Sequence, residues 1–253
     1  MIETLPAPAA SRAGPGRFAR TFARIAQTSL LSAHLLARLR EARPEDALAR
    51  AELMKTVAAE ALRCNGIEVR ARGEFPAGPA LLVANHVSWI DPLALLAKVP
   101  CVAVTKAAIE RWPVFGPLAA GAGALFLTRG DVASGARVLR AMLRAFERGV
   151  SVLNFPEGTT TPGAEVLPFH VGSFGAARIA RVPVVPVALR YEPADLAWTG
   201  DAAFLPHYLK VASREASVLS LRICEPLHPI GSASDLELSR RARAAIQFAL
   251  REL

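Results

Sequence analysis

Cysteine, lysine and aromatic side chains are scarce in this 253-residue chain. The three cysteines, Cys64, Cys101 and Cys224, are scattered and odd in number. That excludes a disulfide framework and a spacing-coded zinc site, and it fits reduced, buried thiols in a cytoplasmic setting. Aromatic residues make up only 6%, and no base-stacking or zinc-finger pattern accompanies the basic charge. Nucleic acid is therefore set aside as a partner. No stretch reaches the roughly 18 uninterrupted apolar residues of a spanning helix. The nearest, Leu93 to Ile109, is broken by Lys98, Pro100 and Lys106. The first residues lack the apolar core of a signal peptide. A Gly-x-Ser-x-Gly elbow, which would present a serine nucleophile, is also missing.

What is present is apolar and basic. Hydrophobic residues make up 52% and charged residues 21%, with a mean hydropathy of +0.30. The formal net charge of +8 comes mostly from arginine, since the only lysines are Lys55, Lys98, Lys106 and Lys210. A greasy, basic chain without a span points to an anionic membrane surface.

Residues 1–16, with Pro6, Pro8, Gly14, Pro15 and Gly16, read as a flexible leader. From Arg17 to Arg43 apolar residues such as Phe18, Phe22, Ile25, Leu35 and Leu39 recur among arginines, until Pro44 stops the pattern. A second helix follows, with Glu45 and Asp46 in its first turn, and ends at Asn65-Gly66. Residues 17–65 are predicted to form a helical hairpin lying on the bilayer. The alternative is a pair of amphipathic helices covering the core. Beyond it, residues 66–253 alternate strands and helices. Strands are expected over Gly66–Arg72, Ala80–Ala84, Cys101–Val104, Ala124–Thr128, Val150–Phe155, Val184–Leu189 and Val218–Ile223. Helices are expected over Pro92–Ala97, Val132–Arg148, Gly172–Ile179 and Ser234–Arg251. The fold class is α/β, a central mixed sheet covered by helices behind the N-terminal hairpin. Residues 193–217 read as irregular, without an assignable role.

The chain is organised around Asn85-His86-Val87-Ser88-Trp89-Ile90-Asp91. Pro92 suits the first turn of a helix, and the residue before a proline avoids the α region, so Asp91 is expected at the N-cap. His86 then lies on the turn between strand and helix. Such a turn can fold His86 back onto Asp91, whose carboxylate would hold one ring nitrogen and leave the other as a general base. Lys106, Arg129 and Glu157 likewise stand at strand ends. In an open α/β sheet, ligands bind beyond the carboxyl ends of the strands.

Four blocks in this order and spacing resemble the glycerolipid acyltransferase family, which contains the 1-acylglycerol-3-phosphate acyltransferases. They are Asn85-His86-x4-Asp91, Gly123 to Arg129, Phe155-Pro156-Glu157-Gly158-Thr159 and Val185-Pro186-Val187. The resemblance implies acyl transfer from coenzyme A or acyl-carrier-protein thioester to a lysolipid hydroxyl, with no cofactor and no metal. It implies catalysis by His86 and Asp91, and substrate binding at Asn85, Lys106, Arg129, Glu157, Gly158 and Thr159. It further implies a site on the cytoplasmic face of the inner membrane. A thioester is already activated, so His86 needs only to take the hydroxyl proton. Glu157 is open between an acceptor contact and a brace for the Gly158 turn.

One position departs from the family. Phosphatidic-acid-forming members usually carry arginine directly after the third block, where this chain has Thr160. A basic residue near Phe169 is replaced by His170. Lysophosphatidic acid is the expected acceptor by family default, and lyso-ornithine lipid is the alternative. A non-catalytic lipid-binding protein is the alternative of another class.

Overall fold

The apolar runs become seven strands, Ile67–Arg72 (β1), Leu81–Ala84 (β2), Cys101–Lys106 (β3), Leu125–Leu127 (β4), Ser151–Asn154 (β5), Val184–Glu192 (β6) and Ser217–Ile223 (β7). The computed structural model describes residues 15–41, 46–200, 202–229 and 234–253. Positions 1–14 of the expected leader, and Arg43, Pro44 and Glu45 of the expected inter-helix break, lie outside the described residues. The sheet order is β1-β7-β6-β2-β5-β3-β4. All pairs are parallel except β6 with β7.

The helices are Pro15–Glu41 (α1), Ala47–Cys64 (α2), Asp91–Leu96 (α3), Phe115–Gly121 (α4), Val132–Glu147 (α5), Gly172–Ala180 (α6), Phe204–Ser213 (α7) and Asp235–Ala249 (α8). They cover both faces of the sheet, which explains why β2 reads as an unbroken apolar run. Leu82 and Ala84 pack on one side with Ile90 and Leu95, while Leu81 and Val83 pack on the other with Met142 and Phe174. The fold is the α/β arrangement read from the sequence.

Two helices were not legible. Both α4 and α7 carry a proline, Pro117 and Pro206, at the third helical position. A proline reads as a breaker, yet the first turn of a helix needs no intrahelical N–H donor, so proline fits there. The stretch 193–217 is accordingly not irregular. It holds a short 3-10 turn over Ala194–Leu196 and then α7.

Asp91 corrects another expectation. It is the first residue of α3 rather than its cap; Ile90 occupies the cap position, and no side-chain cap bond forms there. The cysteines also differ from the expectation of uniform burial. Cys101 is buried, and burial pushes its thiol up to about 12, while Cys64 and Cys224 are half-buried.

Part of the arginine stripe on α1 is turned onto the domain. The Arg24 guanidinium donates to the carbonyls of Ala212, Arg214 and Glu215 at 3.2, 2.6 and 3.0 Å. Arg20 donates to the Ser213 carbonyl at 3.2 Å. These contacts satisfy carbonyls left open at the end of α7. Leu35 and Leu39 of α1 pack with Met54 of α2 and Leu118 of α4. Phe18 and Phe22 remain 69% and 75% exposed. Among the described residues, no helix is long and apolar enough to cross a membrane.

Candidate active site

Parallel pairing sets the carboxyl ends of β2, β5, β3 and β4 side by side along one edge of the sheet. Lys106 is the last residue of β3, and the loops leaving the other three ends carry His86, Glu157 and Arg129. The sequence-predicted residues therefore share an edge, but they divide into those that build the loop and those that face outward.

Asp91 is fully buried and is the centre of the first group. Its Oδ2 meets His86 Nδ1 at 2.8 Å. The same oxygen accepts the backbone N–H of Val87 at 2.6 Å and of Ser88 at 2.8 Å. Its Oδ1 accepts the phenol of Tyr191. Instead of capping the helix ahead of it, the carboxylate reaches back and closes the turn that precedes it. An anionic acceptor at Nδ1 places the imidazole proton there and leaves the Nε2 lone pair available. Among the described residues, Nε2 makes no hydrogen bond, and the His86 side chain is 21% exposed. The ring stacks on Phe155, with centroids 4.1 Å apart and planes inclined by 19°. Stacking and the Nδ1 bond together fix the direction of Nε2. The arrangement can accept a proton at Nε2 and stabilise the resulting imidazolium through Asp91.

Glu157 is 5% exposed, and its carboxylate is occupied by backbone groups. One oxygen accepts the His86 N–H at 2.7 Å, and the other accepts the Leu167 N–H at 2.8 Å. Burial pushes its carboxyl above the usual range and outweighs the two N–H groups that act the other way. Of the two roles open in the sequence, this geometry is that of a brace. The His86 carbonyl in turn accepts the Thr161 N–H at 2.8 Å.

Asn85, 1% exposed, also turns inward. Its amide donates to the Leu189 carbonyl at 3.0 Å and accepts the Leu189 N–H at 2.8 Å. It extends the β2–β6 ladder one step past the end of the strand.

Lys106 and Arg129 are exposed at the ends of neighbouring strands. Gly158 brings Arg129 close to His170. A Cβ at position 158 would lie 3.1 Å from His170 Cδ2 and 3.8 Å from Arg129 Cζ. The glycine also has a φ of +73°, which favours residues without a side chain. Thr159 is exposed and Thr160 half-buried beside this group.

Three contributors were not read from the sequence. Phe155 was quoted without a role. Tyr191 had only a faint signal, the alternation of Val185, Val187 and Leu189 on one face of β6, which it continues. The third is the stretch from Trp198 into α7. The Trp198 N–H donates to the Val87 carbonyl at 2.8 Å, and Trp89 Nε1 donates to His207 Nδ1 at 3.0 Å.

The acyltransferase family model matches residues 63–190, which span this edge. The chain belongs to the acyltransferase family. It is thus an enzyme, and the alternative of a non-catalytic lipid-binding protein gives way. Among its relatives is a lyso-ornithine lipid O-acyltransferase of Pseudomonas aeruginosa, 38% identical over 72% of this chain and 72% of the relative. A 1-acyl-sn-glycerol-3-phosphate acyltransferase of Neisseria gonorrhoeae is 37% identical over 58% of this chain and 56% of the relative. The same fold occurs in the 1-acyl-sn-glycerophosphate acyltransferase PlsC of Thermotoga maritima. That structure matches with a TM-score of 0.69 at 22% identity, over 95% of this acyltransferase and 97% of its own chain.

Proposed function

We propose that this acyltransferase moves a fatty acyl group from an acyl-CoA or acyl-carrier-protein thioester to the hydroxyl of a lysolipid. His86 is the general base and Asp91 its partner. The observation that carries the reading is the Nδ1 bond to a fully buried Asp91, which leaves His86 Nε2 unbonded at the carboxyl edge of the sheet. The acceptor hydroxyl gives its proton to Nε2 as its oxygen attacks the thioester carbonyl. The tetrahedral intermediate then collapses and the carbon–sulfur bond breaks. The departing thiolate takes the proton from the imidazolium, which returns His86 to its starting form. The products are an ester and a free thiol. Base assistance of this kind contributes roughly 10²–10⁴-fold.

Lyso-ornithine lipid is the favoured acceptor. Thr160 stands where phosphatidic-acid-forming members usually carry arginine, and the Pseudomonas relative aligns over more of the chain than the Neisseria relative. The second reading, lysophosphatidic acid, is favoured by the exposed cations Lys106 and Arg129. Arg129 can also serve the phosphates of an acyl-CoA donor.

The enzyme works from the cytoplasmic face of the inner membrane, which it meets with the exposed Phe18, Phe22 and Leu30 of α1. Aromatic and aliphatic side chains on an otherwise basic helix suit the interface.

The test is thiol release and ester formation with a panel of lysolipids, one acyl-CoA and one acyl-carrier-protein. Ornithine lipid formed faster than phosphatidic acid supports the reading, and the reverse order replaces the acceptor. His86→Ala should lower turnover by about 100-fold or more while the protein stays folded. Near-normal turnover would remove His86 from the mechanism.

A further inference from the structure

A hydroxyl-bearing residue 100 positions from Asp91 in sequence bears directly on the His86–Asp91 pair. Tyr191 stands on β6, 4% exposed, and its phenol donates to Asp91 Oδ1. The other oxygen, Oδ2, already serves His86 Nδ1 and the N–H groups of Val87 and Ser88. We propose that Tyr191 is a positioning residue of the acyl transfer: it pins the plane of the Asp91 carboxylate so that one oxygen stays aimed at the His86 ring.

A carboxylate can turn about χ2 and tilt its plane, because that torsion is broad. In this site, rotation out of the observed plane would break both loop N–H bonds and turn the acceptor away from Nδ1. A donor on Oδ1 opposes the rotation. It also draws off part of the carboxylate charge, which sets how strongly Asp91 favours the imidazolium. Burial, followed by the charge of Asp91, pushes the Tyr191 phenol well above its ordinary range, so it remains a donor. Besides Tyr191, the titratable groups facing the Asp91 carboxylate among the described residues are His86 and Glu157. Among the described residues, only Tyr191 reaches Oδ1.

The inference rests on His86 being the base, and the experiment separates the two claims. Tyr191→Phe keeps the ring and removes only the donor. Replacing Tyr191 with 3-fluorotyrosine keeps the donor and strengthens it. The kcat/KM of thiol release is followed against pH in each protein, and the His86 ring is titrated by NMR in parallel. Tyr191→Phe should lower kcat about 10-fold or more, as expected for loss of a hydrogen bond to a charged group, with the KM for both substrates held. With its donor gone, Asp91 keeps more charge and favours the imidazolium more. The acid limb and the NMR titration should both move to higher pH. Fluorotyrosine should move them to lower pH. A Tyr191→Phe protein that is less heat-stable but keeps its pH limb, its NMR titration and its kcat per folded molecule overturns the proposal. An intact NMR shift with His86→Ala still active would instead defeat the base reading and leave the coupling of Tyr191 to the ring established. If Tyr191→Phe does not fold, fluorotyrosine alone decides, and an unmoved pH limb then overturns the proposal.

Discussion

Replacing Glu157 by glutamine separates a brace from a substrate ligand. The carboxylate spans two loops, holding His86 N–H at 2.7 Å and Leu167 N–H at 2.8 Å. A glutamine has one acceptor oxygen, so its NH2 must face one of these two donors. One charge-assisted bond is lost outright, and a backbone N–H is left buried against another donor. The cost of such a group is about 1–3 kcal/mol, so the change should destabilise the protein by about 2 kcal/mol. For a chain of this size that is roughly 4–8 °C in Tm. Because one of the two donors is the N–H of His86, the proposed base, kcat should fall, while the acceptor KM should change by less than about threefold; 1 kcal/mol corresponds to a factor of roughly five.

The pH dependence of stability gives a second readout on the same variant. Burial raises the Glu157 carboxyl above its ordinary value of 4.5 in the folded protein. A raised carboxyl binds its proton more readily in the folded than in the unfolded chain. Its contribution is therefore most favourable below the unfolded value and is lost as pH rises through the folded value. Wild type should lose stability across the window just above 4.5, and Glu157→Gln should lose less there. Thermal unfolding at several pH values and steady-state kinetics measure both effects. An unchanged Tm together with a tenfold rise in acceptor KM would refute the brace and make Glu157 an acceptor ligand.

Other changes have defined outcomes. Asp91→Asn retains a donor–acceptor shape but removes the charge that stabilises the imidazolium. The kcat of thiol release should fall about 100-fold with the protein folded, and a loss under threefold would separate Asp91 from the chemistry. Arg129→Ala should damage kcat/KM with any acceptor, since acyl-CoA also carries phosphates; unchanged kinetics would take Arg129 out of the site. Thr160→Arg should be neutral or helpful for lysophosphatidic acid and should weaken use of lyso-ornithine lipid, because an unmatched charge at a half-buried position is costly. Equal effects on both acceptors would show that position 160 does not read the head group. Phe18→Asp with Phe22→Asp should reduce flotation with anionic vesicles while leaving Tm within about 2 °C, since both side chains are exposed. Undiminished flotation would place the membrane contact elsewhere.

The parts of the site that were legible in the sequence are those that local backbone geometry dictates. Pro92 holds the start of α3 near Asp91, so a turn of fixed length must carry His86. Parallel strands place their following loops on one edge, so Lys106, Arg129 and Glu157 could be assigned there without coordinates. Which oxygen meets which donor was not legible. A carboxylate at a helix start ordinarily caps the turn ahead, whereas Asp91 bonds Val87 and Ser88 behind it. Tyr191 depends on a register that no local pattern states. Ala84 pairs with Val187, and the side chain of Asn85 then takes the next rung, at Leu189. Tyr191 stands two residues further on and hence on the same face of β6 as Leu189. A slip of one residue between β2 and β6 would turn its phenol to the opposite face, away from Asp91. Asn85 holds that register from inside the first motif. Asn85, buried and bonded to Leu189, therefore bears on where the donor to Asp91 arrives, since the residue that fixes the ladder sets the place of Tyr191.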